Sequence, residues 1–284
     1  MPLAEIENLL QQPDILVSSV TRTLYEHHQN SPLVQNRISD LTKASAVLFL
    51  LGIHYQEKIS PSEPCLILTK RSVKVKQAGD LCCPGGGISL PKDQNWAKLL
   101  YLPGSPLTRW PFWRKRNKKQ RQTYRDTALL LATSLRESYE EMRLNPLRIR
   151  FLGVLPIEHL GAFSREIYPV VGWTSQQKRF VLNWEVDKIV NIPLQNLLNP
   201  DNYARTRFNM DRIPENTDHL NWNDRPCFIH KYQNESEILW GATFRITMIF
   251  LEILFGFKPP LSESLPLIES VLNKNYMSGG RRRS

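Results

Sequence analysis

Apolar residues fall into blocks whose period changes along the chain. Residues 44–55 are almost continuously apolar, with AVLFLLGI at the centre, and predict a strand buried on both faces. Residues 65–69, CLILT, predict a second buried strand, closed by Lys70, Arg71 and Ser72. Strands are also predicted over 149–155, over 167–173 (IYPVVGW) and in DKIVNI at 187–192. Helical spacing takes over elsewhere. Ile6, Leu9 and Leu10 share a face, 15–25 extend the pattern, and the first 43 residues read as helical. Residues 127–144 run without Gly or Pro, between Asp126, a good N-cap type, and Pro146. Residues 194–198 predict a short helix and 238–255 a long one, apolar on most sides. Between the blocks lie a turn region at 57–63 with Pro61, a glycine-rich turn at 78–87 (AGDLCCPGGG), and a stretch, 92–125, with no period. Strands interspersed with helices, without regular alternation or repeats, predict an α+β or mixed α/β fold.

Composition narrows the class. At 284 residues, 41% hydrophobic and 23% charged, the chain has material for a sizeable core and is not disordered throughout. No apolar run approaches the roughly 20 residues that span a bilayer, and MPLAEIENLL lacks a basic segment followed by an apolar one, so no secretory signal is expected. Four cysteines, two of them adjacent at Cys82 and Cys83, make neither a disulfide framework nor a zinc pattern, so a cytoplasmic setting is expected. Cys82 and Cys83 read as small buried residues, and the six histidines are scattered without ligand spacing.

The net charge of +10 is concentrated. Residues 92–125 hold ten Lys and Arg against one acid, Asp93, and so carry nearly all of it. Trp96, Trp110, Phe112 and Trp113 lie among these bases. This mixture suits a solvated loop, a lid drawing anionic substrate to a site, a peripheral membrane contact, or single-stranded nucleic acid. A second basic cluster, Arg281 to Arg283, follows Gly279 and Gly280.

The candidate chemistry is on the predicted helix at 127–144. Glu137, Glu140 and Glu141 are spaced i, i+3 and i+4, which puts three carboxylates on one face. Their repulsion reverses if a cation binds, and carboxylate oxygens suit Mg²⁺ or Mn²⁺. On spacing alone a solvated acidic face is the better explanation, since Glu-rich helices are common. RESYEEMRL at 136–144, however, resembles the Nudix box, G-x5-E-x7-R-E-U-x-E-E-x-G-U, where U is bulky and apolar. CLILTKRS, PGGG, IYPVVGW, WEVDKIVNIPLQNLL and ILWGAT follow the order of blocks in the coenzyme A pyrophosphatase branch of that family, over about residues 44–255.

The resemblance implies an α/β/α sandwich around a mixed sheet, with residues 1–43 as a helical extension, 44–258 as the hydrolase-like domain interrupted at 92–125, and 259–284 as a C-terminal extension. It also implies a metal-dependent pyrophosphohydrolase acting on a nucleoside diphosphate derivative. Mg²⁺ or Mn²⁺ would be held by Glu137, Glu140 and Glu141, with Glu140 and Glu141 the first choices. Glu137 would be a ligand or the general base, and Arg136 part of the catalytic set. Gly85, Gly86 and Gly87 would let the backbone approach substrate phosphate, and Arg71 would contact phosphate or merely cap the sheet surface. Glu185 would be an added acid or a structural surface acid, and homodimers are common in the family. The box is degenerate: Gln122 stands at its leading Gly, Ala128 at its first Glu, Ser138 at its apolar position and Arg143 at its later Gly. Gln77 and Cys83 replace the His and Phe of the branch's upstream pattern. The missing Glu ordinarily holds the box arginine, so Arg136 needs another partner, and Asp126 is the nearest candidate. These losses keep open a second reading: a catalytically weak or inactive nucleotide-binding or interaction protein.

Overall fold

The computed structural model describes residues 1–30, 38–54, 63–115, 121–160, 164–175, 179–210, 224–233, 235–272, 276 and 278. The chain begins with helices α1 (Leu3–Gln11) and α2 (Pro13–Asn30). Strands β1 (Ala44–His54), β2 (Glu63–Arg71), β3 (Leu81–Cys82) and β4 (Gly85–Gly87) follow, then helices α3 (Leu90–Leu99) and α4 (Arg121–Met142). Next come β5 (Arg150–Val154), β6 (Glu158–Leu160), β7 (Arg165–Thr174) and β8 (Val186–Pro193), then the short α5 (Leu194–Leu197). Strands β9 (Tyr203–Met210), β10 (Arg225–Tyr232) and β11 (Glu235–Leu239), helix α6 (Gly241–Phe255) and strand β12 (Leu267–Leu272) complete the described elements.

The fold is mixed α/β with two sheets. The larger runs β3-β2-β1-β7-β5, with β4 beside β1, β6 beside β7 and β8 beside β2. β1 and β7 pair in parallel, Leu48 opposite Val170, whereas β1 and β2 are antiparallel. The smaller sheet runs β11-β10-β9-β12. β1 is central because both its faces are apolar. Phe49 and Leu51 join a core containing Leu16, Val20, Phe250 and Leu251 from α2 and α6. Ala46, Leu48 and Leu50 join a second core with Leu130, Leu131 and Leu135 of α4. Helices therefore cover the larger sheet on both faces. Ile6, Leu10, Leu16, Val17, Val20 and Leu24 of the N-terminal helices are all in the first core.

Several expectations are corrected. Helix α4 starts at Arg121, so Asp126 is not its N-cap; it lies in the second turn and accepts a bond from Gln122 Nε2 at 2.7 Å. Arg and Gln are good helix formers and extend the helix N-terminally. The long helix predicted from 238 begins only at Gly241. Trp240 is extended there, its ring 4.2 Å from Phe208 and its indole N–H bonded to Asp80 at 3.1 Å, and Ile238 and Leu239 belong to β11.

Residues 92–125 are not an unstructured surface segment. α3 opens them, and Leu100, Leu107, Trp110 and Trp113 are buried in the core against α4. The Trp110 indole donates to Leu152 O at 3.3 Å. Those two indoles are largely buried and not displayed as a membrane-interface role would need, while Trp96 and Phe112 stay partly exposed. Among the described residues no helix is long and apolar enough to cross a membrane. Arg116, Lys118 and Lys119, the turn at 57–62 and the basic tail at 281–283 lie outside the described residues.

Candidate functional site

The site forms where the C-terminal half of α4 lies over β4. β4 is antiparallel to β1, with Gly87, Gly86 and Gly85 opposite Ser45, Ala46 and Val47. This pairing brings the glycines against the helix. A Cβ on Gly86 would come within 2.7 Å of the Glu137 carboxylate, and one on Gly85 within 2.4 Å of Ala46 O. At Gly85 the close atoms are backbone, so only glycine fits; at Gly86 a side chain would push the Glu137 carboxylate aside. The backbone N–H of Gly85 bonds the Glu141 carboxylate, and Gly87 O accepts from Arg136 Nη2 at 3.4 Å.

Arg136 organises the acids. It is buried, and its Nε donates to Asp93 Oδ1 at 2.5 Å. Its Nη2 lies 2.9 Å from Glu137 Oε1 and its Nη1 3.2 Å from Glu140 Oε2. Burial works against the guanidinium charge, but the bond to Asp93 and the charges of Glu137, Asp93 and Glu140 more than offset it, and its pKa is raised. Asp93, not Asp126, is thus the partner that replaces the missing box glutamate. It is fully buried, and its Oδ2 also accepts from Ser89 N at 2.6 Å. Asp93 is the residue of this cluster that sequence reasoning missed. The only available signal was its standing as the lone acid in a run of ten bases.

The three glutamates differ in exposure and contacts. Glu140 is 45% exposed at the rim beside Arg136. Glu137, one fifth exposed, turns inward against Gly86, and burial, with the charges of Glu140 and Asp93, raises its carboxyl. Glu141 is the most perturbed. Burial, then the charges of Glu137 and Glu185, push it up to about 8, although the Gly85 N–H and Arg71 pull the other way. Its Oε2 is buried and has no hydrogen-bond partner among the described residues.

Arg71 and Glu185 enter from the sheet side. β2 pairs with β8, Arg71 opposite Val186, and Ser72 N donates to Glu185 O at 2.8 Å. Asn183 N donates to Glu141 O at 2.8 Å, which docks the 183–185 loop on the end of α4. Glu137, Glu141, Glu185 and Arg71 are therefore electrostatic neighbours. Arg71 Nε is occupied by Lys76 O at 2.8 Å. Cys82 stands beside Arg71 and Glu141 with its thiol pKa raised by burial, and Cys83 is buried; neither is activated as a nucleophile. Arg143, at the box's later glycine position, adopts φ +54° just past the helix end, with its guanidinium 4.9 Å from the Tyr139 ring centre. A left-handed residue is the usual helix stop, and arginine supplies it here at some conformational cost.

Among the described residues no three Asp, Glu, His or Cys side chains converge as a ready-made metal cage. The donor set instead fits the way Mg²⁺ commonly binds, through one or two carboxylates completed by substrate phosphates. The buried, unpartnered Glu141 Oε2 beside Glu137 supplies the first part of such a site.

Solved structures that align with the chain include Nudix hydrolases and a Nudix domain. One from Alicyclobacillus acidocaldarius is 15% identical over 57% of this chain and 83% of its own, with a TM-score of 0.35. An Ap4A hydrolase from C. elegans is 11% identical over 55% and 82%, with a TM-score of 0.32. The Nudix domain of Shewanella oneidensis NrtR, complexed with ADP-ribose, is 15% identical over 61% and 85%, with a TM-score of 0.32. No family model and no curated protein matches the chain. Likeness of this size assigns neither a family nor an activity to it.

Proposed function

We propose that the chain is a metal-dependent pyrophosphohydrolase acting on the diphosphate linkage of a nucleoside diphosphate derivative. The observation that carries this reading is Glu141: a buried carboxylate pushed up to about 8, crowded by Glu137 and Glu185, with one oxygen unpartnered among the described residues. Burying acids together is costly unless a cation joins them. The motif resemblance over 136–144 points to the same chemistry.

In this reading Glu137 and Glu141 hold Mg²⁺ or Mn²⁺, and Glu185 is the neighbouring acid. The metal would neutralise diphosphate charge and lower the pKa of a bound water. The chain's own part is positioning. Arg136, clamped by Asp93, orients Glu137 and draws Glu140 to the rim, so Glu140 acts through Arg136 and is not a first-choice ligand. Gly85, Gly86 and Gly87 let the substrate diphosphate approach the backbone beside α4. Arg71 faces the same space and offers its positive charge to a phosphate.

A binding-only reading is favoured by one observation: Arg136 already neutralises two of the three box carboxylates. Titration of Mn²⁺ into the full chain, followed by the electron paramagnetic resonance signal of free Mn²⁺, tests the metal site. The expected result is binding by the wild type that the double variant Glu137→Gln/Glu141→Gln loses while its thermal unfolding remains cooperative. Equal binding by both proteins would remove these acids from the site.

A further inference from the structure

A second cleft lies away from the acidic site, between α2, the 106–112 turn and β5. Its volume is about 390 Å³, within the usual range for small-molecule sites. Three arginines line it, Arg22, Arg109 and Arg150, along with the rings of Trp110, Phe112 and Phe151. Among the described residues that line it, none is an Asp or Glu. The Ser18 and Thr21 hydroxyls, also in the wall, donate back to the α2 carbonyls of Asp14 and Val17, so the guanidiniums are its main donors.

The wall is built before any ligand arrives. Arg109 Nη2 donates to Leu147 O at 2.7 Å and to Ile149 O at 3.0 Å, which pins its guanidinium at the rim. The Trp110 indole is held by Leu152 O. Arg150 meets Asp14 at 3.6 Å, but Asp14 is fully exposed and solvent screens the pair. Rings held in place lower the ordering cost of binding.

We infer that this cleft binds a small organic phosphate carried on a flat apolar ring, an aryl or nucleoside monophosphate. A phosphomonoester carries between one and two negative charges near neutrality, and its oxygens match the fork of a guanidinium. The ring lies along Trp110 and Phe112 while the phosphate sits among the three arginines. Neither part alone fills both halves of the cleft.

Calorimetric titration of the full chain in the presence of EDTA tests this, with phenyl phosphate, phenol and inorganic phosphate as probes. Phenyl phosphate is expected to bind, and the other two at least about tenfold more weakly. Arg22→Gln and Arg150→Gln alter exposed side chains and leave folding intact; each should weaken phenyl phosphate by about tenfold or more, the usual size of a lost charge-assisted bond. Arg71→Gln, beside the acidic site, should leave it unchanged. Absence of binding, unchanged affinity in both cleft variants, or loss with Arg71→Gln would each overturn the assignment.

Discussion

Glu141→Gln is expected to lower turnover of a nucleoside diphosphate substrate by about 10²–10³-fold, the loss typical of removing one preorganised group that stabilises charge at a reacting centre. Glutamine has the same shape, keeps an oxygen for the Gly85 N–H and carries no charge. The stability effect has the opposite sign. Burial, then Glu137 and Glu185, raise Glu141 from 4.5 to about 8 in the folded chain. The folded state therefore holds this proton more tightly than the unfolded state. The stability this contributes is complete below pH 4.5 and is lost as pH rises through about 8. Above that, metal-free wild type carries a buried charge that the variant lacks, so Glu141→Gln should unfold at an equal or higher temperature. Steady-state kinetics with thermal melts at several pH values check both halves. Loss of activity together with a large loss of stability would mean that Glu141 is structural.

The second large effect is expected at Asp93. Asp93→Asn keeps the volume and removes the charge that faces Arg136 in the interior. Breaking a buried pair on one side costs about 3–5 kcal/mol; Glu137 and Glu140 still face Arg136, so the low end of that range is expected. Denaturant unfolding should show that loss. A freed Arg136 would also draw closer to Glu137 and Glu140, so Mn²⁺ affinity should fall as well. Asp126→Asn, which alters the acid bonded to Gln122, should leave Mn²⁺ affinity unchanged. If Asp93→Asn costs less than about 1 kcal/mol, the Arg136 clamp is not what holds the site.

The elements that surround the site were legible because their patterns are extreme. The central parts of β1 and β7 are buried and read as apolar runs, IYPVVGW in β7 after the charged Arg165 and Glu166, and α4 contains no Gly or Pro. The placement of Glu137 and Glu141 together followed from i, i+4 geometry, which any helix imposes. Glu140 shares that spacing, yet turns to the rim, because the choice depends on Arg136 and on what lies beneath. Asp93 was invisible because its bond to Arg136 spans 43 residues and no local pattern records it. The smaller sheet was missed for a related reason. β9, YARTRFNM, and β12, LIESVL, mix charged and apolar positions, and their parallel pairing is a long-range fact. The rings at 110 and 113 read as surface features because their basic neighbours dominate the local composition, while burial is decided by α4 packing over them.

The most direct test of the central claim is a hydrolysis profile on the full chain. Coenzyme A, dinucleotides, nucleotide sugars and ADP-ribose are offered with Mg²⁺ or Mn²⁺, with and without chelator, to wild type and Glu141→Gln. The account predicts cleavage of at least one class at its diphosphate, abolished by chelator and by the substitution. Cleavage that persists in chelator, or silence across the panel from folded, Mn²⁺-loaded wild type, would contradict it.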